Sequence, residues 1–402
     1  MAVYYNRFLK RRILNFLDSL NECRIRRERT TTVIRKKPFV NRFLLISPES
    51  SGKWSLIRQM LSICERVPSK YQQCNGHWVE ESTSVSSEEI TTLRLNMIRT
   101  AVSIATFISQ LQIPYTSCTT TSIASRLIRD FEENVDLTDL DAIKESLIQL
   151  VGDPTFQHVI EENLNNWSFD GSVNFLKSDK ITKIFNDHSV FKWCDIAESN
   201  IQCDDEVFYF KLNNVRFEIT VMDEVNANDL PSSIDAWVKT NSQHKNSRTS
   251  ILYAVSLEDI SILLPQRPNC PSATQFDFSL AHFSRCLTSD LIFQCSMLIY
   301  FTNKHKFEET LNRNKESFFQ TNAHLYSKES LRKFHKDHNQ SMEFFLKPFA
   351  EKFSNRIAAV KCFEKNVYSR FTSPSDEKLL DGLLAAVKNQ LISDSLSESA
   401  LV

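Results

Sequence analysis

The sequence predicts an α/β fold: a largely parallel sheet covered by helices on both faces and interrupted by one all-helical insert. Three observations predict it. An apolar run, Phe43 to Ile46, leads into Ser-Pro-Glu-Ser-Ser-Gly-Lys-Trp-Ser at positions 47–55 and then into a helical pattern. That is the strand–loop–helix order of a phosphate-binding loop. Residues from about 68 to 195 carry helical periodicity with little that reads as strand. After them, short apolar runs alternate with helical stretches.

The elements follow in order. The opening ~30 residues read as one amphipathic helix, with Leu9, Ile13, Phe16, Leu17 and Leu20 at three- and four-residue spacing. Arg7, Lys10, Arg11 and Arg12 surround this stripe, and Arg24, Arg26, Arg27 and Arg29 follow it. Such a helix suits a partner or a membrane surface, or it packs on its own domain. Ala2 stands where myristoylation needs glycine, so there is no signal for that lipid; palmitoylation of Cys23 is left open. A strand is expected from Arg42 to Ile46, then a helix through Leu56, Ile57 and Met60. In the helical stretch, Leu93, Met97, Ala101, Ile104, Ile108 and Leu111 form a long buried seam. Glu206 to Leu212 and Val215 to Met222 are strand-like, joined at Asn213-Asn214, a pair that tolerates positive φ. Ile251 to Val255, Met297 to Thr302 and Val367 to Phe371 read as further strands. A last helix, Glu377 to Ile392, places Leu380, Leu383, Leu384, Val387 and Leu391 on one side. The expected division is 1–38, 39–67, 68–195 and 196–402.

Composition narrows the function. A net charge of −1 gives no global attraction to nucleic acid, and none is expected as a partner. Ten scattered cysteines without a paired framework, and no secretory signal, read as free thiols in a reducing compartment. Cys74-x-x-His77 lacks a second ligand pair at matching spacing, so it is a poor metal motif. No apolar run approaches the ~18 residues needed to span a bilayer. Five glycines stand where average usage near 7% would give about 28, which bears on any site where backbone must approach phosphate.

The order of elements and the local sequence resemble the alpha subunits of heterotrimeric G proteins over nearly the whole chain. Leu44 to Met60, LLISPESSGKWSLIRQM, is similar to the family's LLLGAGESGKSTIVKQM. Ile251 to Leu257 matches its fourth strand and the serine after it. Leu298 to Leu311, LIYFTNKHKFEETL, is similar to the base-recognition segment ILFLNKKDLFEEKI, and Val367 to Ser375, VYSRFTSPS, to the second base loop, IYTHFTCAT. The resemblance implies a Ras-like P-loop GTPase domain with an inserted all-helical domain and an N-terminal amphipathic helix. It implies a beta-gamma partner for that helix and a membrane receptor for the C-terminal helix. It also implies a cytoplasmic protein held peripherally at the inner face of the plasma membrane. Nucleotide-binding positions would be Ser50, Ser51, Gly52, Lys53, Trp54, Ser55, Asn303, Lys304, Thr372 and Ser373.

The departures fall on the chemistry. Ser47 and Glu49 replace loop glycines, although a one-residue shift would align Glu49 with the family's own loop glutamate. Trp54 occupies the position of the hydroxyl that ligates magnesium, and indole offers a cation no oxygen. Ser55 is rotated by ~100° from that position on a helix. In the first switch, Asn200 stands for the arginine finger and Cys203 for the magnesium-binding threonine. In the second, Asp223 replaces the glycine that senses the γ-phosphate and Val225 the glutamine that orients water. No catalytic or metal position is intact. Lys306 replaces the aspartate that accepts from guanine, and Pro374, with no N–H, replaces the alanine whose amide binds the base. GTP or GDP binding is therefore expected to be weakened or lost, with magnesium doubtful and hydrolysis absent. Two functions fit: a divergent signalling alpha subunit, or a pseudo-GTPase that binds beta-gamma or receptor without a nucleotide cycle. A kinase-like P-loop enzyme would need an acidic metal ligand at the end of a neighbouring strand, and neither strand supplies one.

Overall fold

A computed structural model describes residues 39–48, 52–81, 85–132, 139–162, 172–186, 191–197, 199, 202–203, 206–212, 215–222, 229–243, 246–258, 274–313, 315, 318, 326–336, 341–360, 367–373, 376 and 378–387. The basic N-terminal helix expected over 1–38, with Cys23, lies outside them. So do Glu49, Ser50, Ser51, Asn200, Asp223, Val225 and Pro374. Residues from Val40 onward form one unit.

Seven strands build its sheet: β1 Val40–Ile46, β2 Tyr71–Cys74, β3 Val207–Leu212, β4 Val215–Val221, β5 Ser247–Ser256, β6 Ser296–Thr302 and β7 Val367–Phe371, in the order β2-β3-β4-β1-β5-β6-β7. β1 runs parallel to both β4 and β5, and β5, β6 and β7 are parallel to one another. β3 is antiparallel to β4, with Leu212 opposite Val215, which leaves two residues for the turn expected at Asn213-Asn214. The protein is thus a mixed α/β structure with a mostly parallel sheet.

Alternation along the strands sorts the core. Phe43 and Leu45 of β1, with Leu252, Ala254, Leu298 and Tyr300, join one buried cluster; Leu44 and Ile46, with Ile251, Tyr253, Val255 and Phe301, join the other. The first face is covered by α1 (Lys53–Arg66) and a helix over 379–387, the described part of the expected last helix. The second is covered by α7 (Leu230–Ser242), α8 (Gln275–Cys286) and α11 (Met342–Ala358), with Phe307 and Leu311 of α9 (Lys304–Arg313). The short α10 (Lys328–Lys336) precedes α11.

Between β2 and β3 the chain is helical: α2 (Ser87–Gln110), α3 (Cys118–Glu132), α4 (Leu140–Val151), α5 (Pro154–Glu162) and α6 (Ser178–Ile184). The expected seam on α2 is buried at Leu93, Met97, Ala101, Ile104 and Ile108, whereas Leu111 is 54% exposed at the helix end. These apolar side chains are contiguous with the first face of the sheet. One expectation is corrected here. Tyr71–Cys74, read as part of the helical stretch, is an edge strand antiparallel to β3. Four residues are too few for period-two alternation to show, and the pairing comes from a strand more than 130 positions away. The helices therefore lie between the second and third strands. The Cys74–His77 pair sits at the turn after this strand, where Asn75 Oδ1 accepts from the His77 and Val79 amides. Among the described residues no cluster of His, Cys, Asp or Glu is placed to hold a metal, and no helix is long and apolar enough to cross a membrane.

Candidate functional site

In an open parallel sheet, ligands bind beyond the carboxyl ends of the strands where the connections change direction. Here the chain leaves β1 toward β2–β4 on one side and returns across it to β5 on the other, so the end of β1 is such a point. The loop after β1 closes on Gly52, whose φ of +80° is left-handed and favours glycine. A Cβ there would stand 3.3 Å from Thr302 Oγ1, so the loop is pressed against the end of β6. α1 starts directly after Gly52, and no side chain caps it. Ser47 Oγ, just after β1, is buried without a hydrogen-bond partner among the described residues.

The side chains after Gly52 point to internal partners. Lys53 is 6% exposed, and its Nζ donates to the carbonyl of Met222, at the end of β4, at 3.0 Å. Trp54 is 5% exposed and packs in the apolar cluster beneath the sheet. The position predicted to lack a metal oxygen is thus a core position. Ser55 Oγ donates to Ala197 O at 2.8 Å and accepts from Gln59 Nε2, so it faces the segment after the helices. Cys203 is buried as well, at 5% exposure.

The ends of β5, β6 and β7 make a second corner. Asn303 is left-handed at φ 57°, a conformation asparagine tolerates, and its Nδ2 donates to Ser256 Oγ at 3.1 Å. The Lys304 amide donates to Thr372 O, and the Thr372 amide donates to Phe301 O, which ties the ends of β6 and β7 together. Thr372 is buried, Ser373 is half-buried beside it, and the Lys304 ammonium pairs with Glu308 on its own helix. Lys306 Nζ reaches both carboxylate oxygens of Glu258, at 3.0 and 2.9 Å, and the two side chains are only 12% and 13% exposed. Asn303 Nδ2 lies 3.4 Å from the same carboxylate.

The structure therefore brings Gly52 beside Thr302 and Asn303, Lys53 to the end of β4, and Lys304 beside Thr372. Glu258 was missed by sequence reasoning; the one available signal was an acid two residues beyond the matched Ser256. Also missed was Arg58, a fully buried guanidinium on α1. Two cavities lie elsewhere. One of about 360 Å³ is bordered by Cys64, Glu65, Glu80, Glu81 and Lys192, and one of about 190 Å³ by Tyr300, Tyr368, Arg370 and Gly382. Burial raises the Glu65 carboxyl above its usual range, against the opposing pull of backbone N–H donors from Trp193 and Cys194.

Chemically, the start of α1 presents the positive end of a helix dipole, which favours an anion, and the second corner holds a paired cation and carboxylate. Compared with protein-family models and with curated proteins, the sequence matches none of them.

Proposed function

We infer that the chain is a divergent relative of heterotrimeric G-protein alpha subunits that acts in receptor signalling, with guanine-nucleotide binding weakened or lost and hydrolysis absent. Its order of elements supports the Ras-like reading, with a phosphate-type loop at the end of the central strand and a run of helices inserted before the remaining sheet. The observation that carries the weakened nucleotide chemistry is the Lys306–Glu258 pair. The residue that should accept from a guanine edge is a donor, and that donor is already used inside the protein. On this reading the N-terminal helix engages a beta-gamma dimer, the C-terminal helix engages a membrane receptor, and the protein sits peripherally at the inner face of the plasma membrane.

The internal partners of Lys53, Ser55 and Lys306 favour the stricter form, a pseudo-GTPase that works by occupying partners without a nucleotide cycle. Calorimetric titration of the purified protein with GDP and GTP, with and without magnesium, tests it. Heats too small to fit, or dissociation constants above micromolar, are expected. Nanomolar, magnesium-dependent GTP binding would defeat the reading, and failure to bind beta-gamma or receptor would remove the signalling role.

A further inference from the structure

One stripe of α1 holds the chain just after the helical run. Ser55, Arg58 and Glu65 lie three and seven residues apart, so they share a face. Ser55 Oγ donates to Ala197 O at 2.8 Å, Arg58 Nη1 to Ser199 O at 3.2 Å, and the Trp193 amide to Glu65 Oε2 at 3.0 Å. Trp193, Ile196 and Ala197 are buried in the same segment, and Ser199 is fully buried. Arg58 does more than its neighbours. Its Nη2 lies 3.4 Å from Glu89 Oε1, at the start of α2, and the other oxygen of Glu89 accepts from the Ser86 amide in a capping box. One guanidinium at 0% exposure thus grips both ends of the helical run, at Glu89 in the first turn of α2 and at Ser199 after α6. Among the described residues its Nε has no acceptor, and these two contacts hold the charge.

We propose that Arg58 is a built-in latch, which keeps the 193–199 segment and the start of α2 fixed on α1 without a ligand. In GTPases the corresponding kind of segment is ordered by the γ-phosphate and its metal and released on hydrolysis. Here α1 side chains take that place, and the surface shown to partners is constant. The latch itself rests on side-chain contacts. Only its independence from nucleotide rests on the function proposed above.

Hydrogen exchange on the full chain, read by mass spectrometry, tests the latch. Arg58→Met should speed exchange at least tenfold both in 193–199 and at 86–93, with β5 and β6 unchanged. Acceleration at one site alone, or at neither, overturns the proposal. Should that variant fail to fold, Arg58→Met/Glu89→Met removes both buried charges, a replacement that stability often tolerates. Ser199 O still loses its donor in it, so 193–199 should still exchange at least tenfold faster; unchanged protection there overturns the latch. Millimolar GTP with magnesium should alter exchange in 193–199 of the unmodified protein less than twofold, and tenfold slowing overturns ligand independence. Tight nucleotide binding with unaltered exchange would sink the proposed function while sparing the latch. Unaltered exchange in Arg58→Met would do the reverse.

Discussion

Breaking the Lys306–Glu258 pair tests whether the second corner is closed by charge. The ammonium stands 2.9 and 3.0 Å from the two carboxylate oxygens, with both side chains about seven-eighths buried. At an effective dielectric near 20, unit charges ~3 Å apart attract by about 5–6 kcal/mol, before the cost of drying both groups is subtracted. Charge-assisted bonds of this kind keep a net ~1.5–3 kcal/mol. A double-mutant cycle of Glu258→Gln, Lys306→Met and the double variant, followed by urea unfolding at neutral pH, should give a coupling energy in that range. Each single change should cost more than the double, because each leaves one buried group short of its partner. A coupling below ~0.5 kcal/mol, the value of a solvated surface pair, would refute the reasoning. The nucleotide arm uses Glu258→Ser/Lys306→Asp, which removes the internal acid and restores an acceptor where guanine would need one. Two regained bonds of ~1.5–3 kcal/mol each predict a gain of about 10² to 10⁴ in GDP affinity. A folded double variant with no gain would show that shape, and not the ion pair, excludes the base.

Three further outcomes follow from the same geometry. Trp54→Ser puts back a hydroxyl but removes a buried indole, so urea unfolding should show a loss of ~3–5 kcal/mol and titration should show no magnesium-dependent nucleotide binding; gain of such binding would mean that Trp54 alone blocks the metal. His282 has its pKa pulled down to about 4 by burial and by the nearby charges of Lys53 and Arg285. An unfolded histidine near 6.5 binds protons that the folded one refuses, so stability is full above ~6.5 and falls between ~6.5 and 4, by up to about 3 kcal/mol; His282→Asn should flatten that limb of a pH–stability curve. Pyrophosphate and GDP should bind within tenfold of each other in competition calorimetry, since little of the nucleoside would be recognised; a hundredfold preference for GDP would contradict the account of the second corner.

What the sequence made legible was what local pattern encodes. β1, β6 and β7 stand within two residues of the runs expected for them, β1 and β6 because strands buried on both faces read as continuous hydrophobic stretches. The antiparallel pairing of β3 and β4 was readable because two alternating segments flank Asn213-Asn214 with no spare residues. Edge strand β2 was not, since Tyr-Gln-Gln-Cys carries no periodic signal and its pairing is non-local. The site divides the same way. Gly52 and Lys53, at the start of α1, and Asn303 and Thr372, directly after β6 and β7, could be singled out by motif because each lies at the end of a regular element. Trp54 drew notice as a departure from the motif but could not be read as core, and Glu258, Arg58 and Glu89 act through charge partners 31 and 48 positions away that no spacing rule connects.

A pocket that simply loses its ligand leaves polar groups buried and unpaired, at ~1–3 kcal/mol each. That cost has been removed unevenly here. At the second corner the cation has Glu258, Asn303 has Ser256, and the ends of β6 and β7 are tied through Thr372. Where the resemblance would put a metal ligand, an indole is packed in the core. Beside the loop the same has not happened: Gly52 makes no side-chain cap to α1, Ser47 Oγ is buried without a partner among the described residues, and Gly52 keeps its left-handed turn against Thr302. The positive end of a helix dipole attracts an anion whatever side chains surround it. Phosphate attraction is a backbone property and survives side-chain change, whereas metal and base recognition depend on particular side chains and are lost with them. The order in which a nucleotide switch loses its chemistry is then set by which of its contacts are made by backbone.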